Sequence, residues 1–222
     1  MIILFFYNNI KKSVTFLKDN CINIYKVYKG GDKLLTNDLT TKTDQELYQE
    51  FLKGNQEAFN LIVKIYRMQV IAFIMKYVRN FDVAEDLAQD VFLYMLVNKK
   101  EYDFKYTLKT YLYTIAKCRA INYIKKNKNQ KQVFFDENSI LVEDDLDDIL
   151  IQQENKKILL NAIKKLKEEY RVILYLREIK EFQYKEICKI LNKTIPQVKM
   201  SLYRARKALS KVLRKGSDMN EK

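Results

Sequence analysis

Asp82, Glu85, Asp86 and Asp90, with Gln89 among them, recur every three to four residues. That spacing lines side chains along one stripe of a helix. Three roles suit such a stripe. Paired carboxylates can hold Mg²⁺ or act as general acid and base. Near a helix start they can be solvated acids that the helix dipole favours. In a strongly basic chain they can also dock a basic protein surface. Residue type alone does not rank the three.

A second set lies between residues 109 and 128. Lys109, Lys117, Arg119, Lys125 and Lys126 alternate with Tyr111, Tyr113 and Tyr123. Positive charge tracks a phosphate backbone, and aromatic rings stack on unpaired bases, each stack worth about 1–3 kcal/mol. The competing reading puts the tyrosines in a core and the lysines in solvent. A third set closes the chain: Lys199, Arg204, Arg206, Lys207 and Lys211, with Gln197, Ser201 and Tyr203 among them. Val198, Leu202, Ala205 and Leu209 repeat at four, three and four, so one helix face packs and the other is left for a major groove. Gln197, Lys199, Met200 and Ser201, near the helix start, would lie closest to base edges. Arg204, Arg206 and Lys207 suit backbone phosphates. The plain alternative is a solvated basic face.

Helices must position all three sets, and the apolar spacing supplies them. Leu47, Phe51 and Leu52 mark a short helix ending at Gly54. Ala58, Phe59, Ile62, Ile65, Tyr66, Val70, Phe73 and Tyr77 mark a second of about twenty residues. The chain breaks near Arg79-Asn80-Phe81, and Asp82 with Glu85 forms an expected capping box. Val83, Leu87, Val91, Tyr94 and Met95 line the next helix. Thr107 or Thr110 caps the one after it, which runs to about Lys126. Further helices are expected over 158–166, 170–179, 184–191 and 195–213. The last two meet across Asn192-Lys193-Thr194, with Gln197 completing a capping box on Thr194 and Pro196 in the first turn. Two helices joined by a tight turn, the second long and basic, make a helix-turn-helix candidate. The expected fold is all-α: two small helical domains over 44–127 and 151–215, joined by a flexible acidic linker over 128–150. An N-terminal extension covers 1–43, with a helix expected over 11–28, and a tail covers 216–222.

Composition removes most enzyme classes. The 222 residues contain no His and no Trp, which excludes His-containing zinc sites, His general bases and the serine triad. Cys21, Cys118 and Cys188 are odd in number and far apart, which fits a reducing compartment rather than a disulfide framework. Only four Gly are present, with neither GxGxxG nor a P-loop. No catalytic residue, metal or cofactor is expected. The apolar start MIILFFY is far short of the roughly 20 residues of a membrane helix, so the chain is expected in the cytoplasm. The net charge of +13 points to a polyanion, with an acidic membrane surface as the rival. That charge is uneven. Residues 99–131 hold ten positive and two negative groups, residues 180–215 eleven and two, and residues 133–155 eight acids and no base.

Four segments, in order, resemble one family. Gly54-Asn55-Gln56-Glu57-Ala58-Phe59 is similar to the opening of its first conserved region. Asp82 to Phe92 resembles its core-binding helix. Tyr111 to Ala116, continuing through Arg119 to Lys126, resembles its promoter-melting segment. Tyr184 to Ile187 and Val198 to Leu209 resemble its minus-35 reader. The family is the extracytoplasmic-function group of bacterial sigma-70 RNA polymerase sigma factors, and the resemblance covers about residues 44–215.

The resemblance implies a division of roles. Asp82, Glu85, Asp86, Gln89 and Asp90 would meet the clamp helices of core polymerase. Lys109, Tyr111, Tyr113, Lys117, Arg119, Asn122, Tyr123, Lys125 and Lys126, with the loop from Lys99 to Tyr106, would hold melted minus-ten DNA. Thr194, Gln197, Lys199, Met200, Ser201, Tyr203, Arg204, Arg206 and Lys207 would read the minus-35 element, beside the polymerase flap. An anti-sigma factor is a further candidate partner. The chain departs from the family pattern at four places. Tyr111 stands for a usual Trp, Asn122 for Asp, Asn192 for a turn Gly, and Met200-Ser201 for polar and basic residues.

Overall fold

The computed structural model describes residues 42–127 and 159–217, where all regular structure is helical. The N-terminal extension with its expected helix over 11–28, the acidic linker, the first residues of the second module and the end of the tail lie outside the described residues.

The first cluster has four α-helices, each set by a cap. Helix α1 is Asp44–Leu52. Thr43 and Glu46 bond each other's backbone N–H reciprocally, a full capping box. Gly54, at φ 97°, makes the turn that follows. Helix α2 is Gln56–Val78, where the Asn55 side chain accepts from the Glu57 and Ala58 N–H groups at 3.0 and 3.2 Å. Arg79 ends it in a left-handed conformation, φ 53°. Helix α3 is Phe81–Val97. Its cap is Asn80, accepting from the Val83 N–H at 2.9 Å. The expected Asp82–Glu85 box therefore does not form. The helix starts before Asp82, which sits in the first turn where the dipole favours an acid. A short 3₁₀ turn, Lys99–Glu101, leads towards α4, Leu108–Asn127. Of the two candidate caps for α4, Thr107 fills the position, its hydroxyl accepting from the Thr110 N–H at 3.2 Å.

Helix α2 packs on α1, α3 and α4. Val70, Phe73 and Ile74 of α2, Ala84, Val91 and Met95 of α3, and Leu108, Leu112 and Ala116 of α4 are buried together. By length and composition alone α2 could cross a membrane. Ten of its residues are instead buried within this cluster.

The second cluster begins with helical residues 159–164, α5. Helix α6 is Glu168–Leu174 and continues as a wider π turn through Tyr175–Ile179. The expected single helix over 170–179 is thus two geometries. The Lys180 N–H bonds the Tyr175 carbonyl, five residues back. Helix α7 is Tyr184–Leu191 and α8 is Ile195–Ser217. Asn192 bends the chain between them at φ 52°, which Asn tolerates better than most residues. The Thr194 N–H donates to Gln197 Oε1 at 2.9 Å and the Gln197 N–H to Thr194 Oγ1 at 3.4 Å, the expected capping box. Helix α8 packs on α6, and its seam of Val198, Leu202, Ala205 and Leu209 is fully buried.

Candidate functional site

On α3, Asp82, Asp86, Gln89 and Asp90 are all exposed. Glu85 is not a free member of the set, because its carboxylate pairs with Arg67 of α2. The exposed stripe continues at the same spacing into Leu93 and Val97, which are 58% and 72% exposed. The face is therefore acidic at its N-terminal end and apolar at its C-terminal end. Extending the three-to-four spacing two steps beyond Asp90 reaches both residues. Among the described residues no three His, Cys, Asp or Glu side chains converge on a common metal position.

Helix α4 separates the residues expected to touch DNA. Tyr113 is a correction: it is 0% exposed, with its ring 4.6 Å from Phe73 and its hydroxyl reaching the Gln69 carbonyl at 3.5 Å. It faces α2 and belongs to the core. Asn122, Lys125 and Lys126 are exposed, while Lys109, Tyr111, Lys117, Arg119 and Tyr123 are half-buried. Burial pulls the Lys117 ammonium below its ordinary pKa. The Arg119 guanidinium lies 5.0 Å from the Tyr94 ring. The Tyr94 hydroxyl donates to the Glu101 carboxylate at 2.5 Å, the main reason its pKa is raised. Tyr94, Glu101, Tyr111, Thr114, Arg119 and Asn122 line one concave surface. In the sequence Tyr94 is an apolar helix position, and Glu101 belongs to the Lys99–Tyr106 loop without a charge or ring that points to DNA.

The loop from Lys99 to Tyr106 is pinned from outside. The buried Tyr48 of α1 donates its hydroxyl to the Lys99 carbonyl at 2.9 Å, and Gln45 Nε2 donates to the Phe104 carbonyl at 3.3 Å. The Tyr102 hydroxyl donates to the Tyr106 carbonyl at 2.8 Å. Tyr102 lies between Tyr48 and Phe104, with ring centroids 4.5 and 4.6 Å away, and Tyr111 is 5.3 Å from it. Burial raises the phenol pKa of Tyr48 strongly and those of Tyr102 and Tyr111 to about 12.

On α8, Lys199, Met200, Tyr203, Arg204 and Lys207 are exposed and Ser201 is half-buried. Thr194 and Gln197 are exposed but engaged in their capping box. Arg206 has a partner within the second cluster. Its Nε and Nη2 both donate to Glu178 Oε1, at 3.1 and 2.6 Å, which sets it apart from the exposed Arg204 and Lys207. The Tyr184 ring receives two cations, the Arg177 guanidinium at 4.9 Å and Lys199 Nζ at 5.9 Å. That contact ties the start of α8 to the start of α7.

Residues 62–130 match the sigma-70 region 2 family and residues 156–209 the sigma-70 region 4 family. The chain is 33% identical over 172 residues to the ECF RNA polymerase sigma factor SigW of Bacillus subtilis, spanning 73% of this chain and 92% of that protein. The chain belongs to the ECF sigma factors. The ECF RNA polymerase sigma-E factor of Escherichia coli is 28% identical over 178 residues, covering 75% of this chain and 92% of that one. In fold, this ECF sigma factor is similar to CnrH, solved with the cytosolic domain of CnrY, at a TM-score of 0.56 and 17% identity; 77% of this chain and 97% of that chain are covered. It is likewise similar to RpoE, solved with the anti-sigma factor NepR from Bartonella quintana, at 0.52 and 21%, covering 70% and 96%. As a sigma factor it binds core RNA polymerase and directs promoter-specific initiation, with no catalytic activity of its own.

Proposed function

We propose that this ECF sigma factor divides promoter recognition between its two helical clusters, with α3 docking core polymerase. The exposed Asp82, Asp86, Gln89 and Asp90 meet a basic surface of the clamp helices, and Glu85 acts through its pair with Arg67. The concave surface around Tyr94, Tyr111, Arg119 and Asn122, with Lys125 and Lys126 beside it, holds nontemplate bases of the melted minus-ten element. Cations there track the backbone, and ring faces accept unpaired bases. Helices α7 and α8 form a helix-turn-helix that carries Lys199, Met200, Tyr203, Arg204 and Lys207 into the minus-35 major groove. The acidic segment 128–150 links the two modules, the protein works in the cytoplasm, and an anti-sigma factor regulates it.

One observation carries this reading: charge is segregated by face. Exposed acids lie on α3 and exposed cations on the end of α4 and along α8, and on α3 and α8 the charged face stands opposite a buried apolar seam. Run-off transcription with purified core enzyme tests it. Asp86→Lys should weaken core binding while circular dichroism stays unchanged. Core affinity equal to the wild type would remove α3 as the docking face.

A further inference from the structure

We propose that Met200 makes this sigma factor select a thymine in its minus-35 element by covering the C5-methyl group of that base. The proposal rests on α8 being the helix that enters the major groove, and it names one determinant of what α8 prefers.

The placement of Met200 argues for it. Val198, Leu202, Ala205 and Leu209 form the buried seam of α8. At 100° per residue, Met200 lies about 200° around the helix from Val198, so it stands at the outer crest of the exposed face. It is half-exposed, at 50%, and Tyr203, one turn on, is 62% exposed. Both stand among Lys199, Arg204 and Lys207, which are exposed as well. Position along the helix matters too. Met200 is the sixth residue of α8, after the Thr194–Gln197 capping box. In groove-docked helices the N-terminal residues reach base edges, while later cations reach phosphates.

The side chain then limits the contact. A thioether is a poor hydrogen-bond partner, so Met200 cannot read the donor and acceptor pattern of a base pair. It can read the single apolar group of the major groove, the thymine methyl. The long unbranched side chain of Met adapts to cover such a group. Lys199 is held towards the Tyr184 ring, 5.9 Å from its centroid, which keeps its ammonium to one side of that crest.

Replacing thymine by deoxyuridine deletes only the methyl group. Promoter duplexes would first be selected from a library randomised across the minus-35 region, using wild-type holoenzyme. Each thymine on both strands would then be replaced singly by deoxyuridine. One replacement should weaken holoenzyme binding about three- to fivefold, the value of burying one methyl group. The same replacement should cost nothing in Met200→Ala holoenzyme, and Met200→Leu should keep most of the penalty. If no thymine responds, or the penalty is equal in wild type and Met200→Ala, Met200 does not read a methyl group. If the library returns no minus-35 preference at all, the groove-entering role of α8 falls instead. If Met200→Ala weakens core binding without changing the deoxyuridine penalty, the crest is a protein contact and the proposal is overturned.

Discussion

Arg204 and Arg206 lie two positions apart on α8 and do different work. Arg204 is exposed, whereas Arg206 is bound to Glu178 through two nitrogens. Arg206→Ala and Glu178→Ala should each lower thermal stability by about 0.5 kcal/mol, a modest figure because the pair is partly exposed. The double variant should cost little more than either single one, and a double-mutant cycle by thermal melting measures that coupling. Arg204→Ala should leave the melt unchanged and reduce transcription almost evenly across minus-35 variants, as loss of a phosphate contact does. Tyr113 and Tyr111 on α4 differ in degree, the first fully buried and the second half-buried against Tyr102. Tyr113→Ala removes a fully buried ring packed on Phe73 and should destabilise the first cluster by about 3–5 kcal/mol, measured by denaturant unfolding. Residue type marked these residues as alike. Their neighbours in space separate them.

Helix α1 is the least conspicuous element in the sequence, and it pins the loop beside the concave surface of the first cluster. The Tyr48 hydroxyl and the Gln45 amide reach the Lys99 and Phe104 carbonyls. Tyr48→Phe keeps the ring and removes only the hydrogen bond. It should cost about 1 kcal/mol and raise amide hydrogen exchange over residues 99–106 while leaving α2 protected. Uniform exchange across the cluster would show that α1 does not act on the loop in particular. The rings themselves make a pH prediction. Tyr48, Tyr102 and Tyr111 all have phenol pKa values raised in the folded state, mainly by burial. The unfolded chain loses these protons near pH 10, before the folded chain does. Their stabilising effect is therefore complete below about pH 10 and is lost as pH rises towards and through the raised values. Difference absorbance should show delayed ionisation of these tyrosines, and Tyr48→Phe should remove one late-titrating group.

At the scale of the whole molecule, the net charge of +13 is concentrated in residues 99–131 and 180–215, on either side of the acidic stretch 133–155. On the proposed reading, two modest DNA contacts on one tethered body raise the effective concentration of each. Replacing Lys125 and Lys126 by Ala should lower the log–log salt slope of open-complex binding by about 0.7 per lysine that contacts single-stranded backbone. An unchanged slope would place both lysines away from DNA. Much of this organisation was legible in the sequence. Most seam positions of α2, α3 and α4, the whole seam of α8, the Thr194–Gln197 box and the turn at Asn192 were expected from it, and so was the family. Those features are local. A helical period, a cap and a turn depend on residues within about four positions, so the one-dimensional pattern contains them. Three unexpected features are local, the Asn80 cap, the Leu93–Val97 extension and the π turn over Tyr175–Ile179; the others are not. Glu85 meets Arg67 across 18 positions, Arg206 meets Glu178 across 28, and Tyr48 meets Lys99 across 51. The sequence by itself determined which helices form and which faces are apolar. Only the tertiary structure decided which charges are neutralised and which rings are buried, because a side chain's partner is chosen by packing between helices and not by spacing along one.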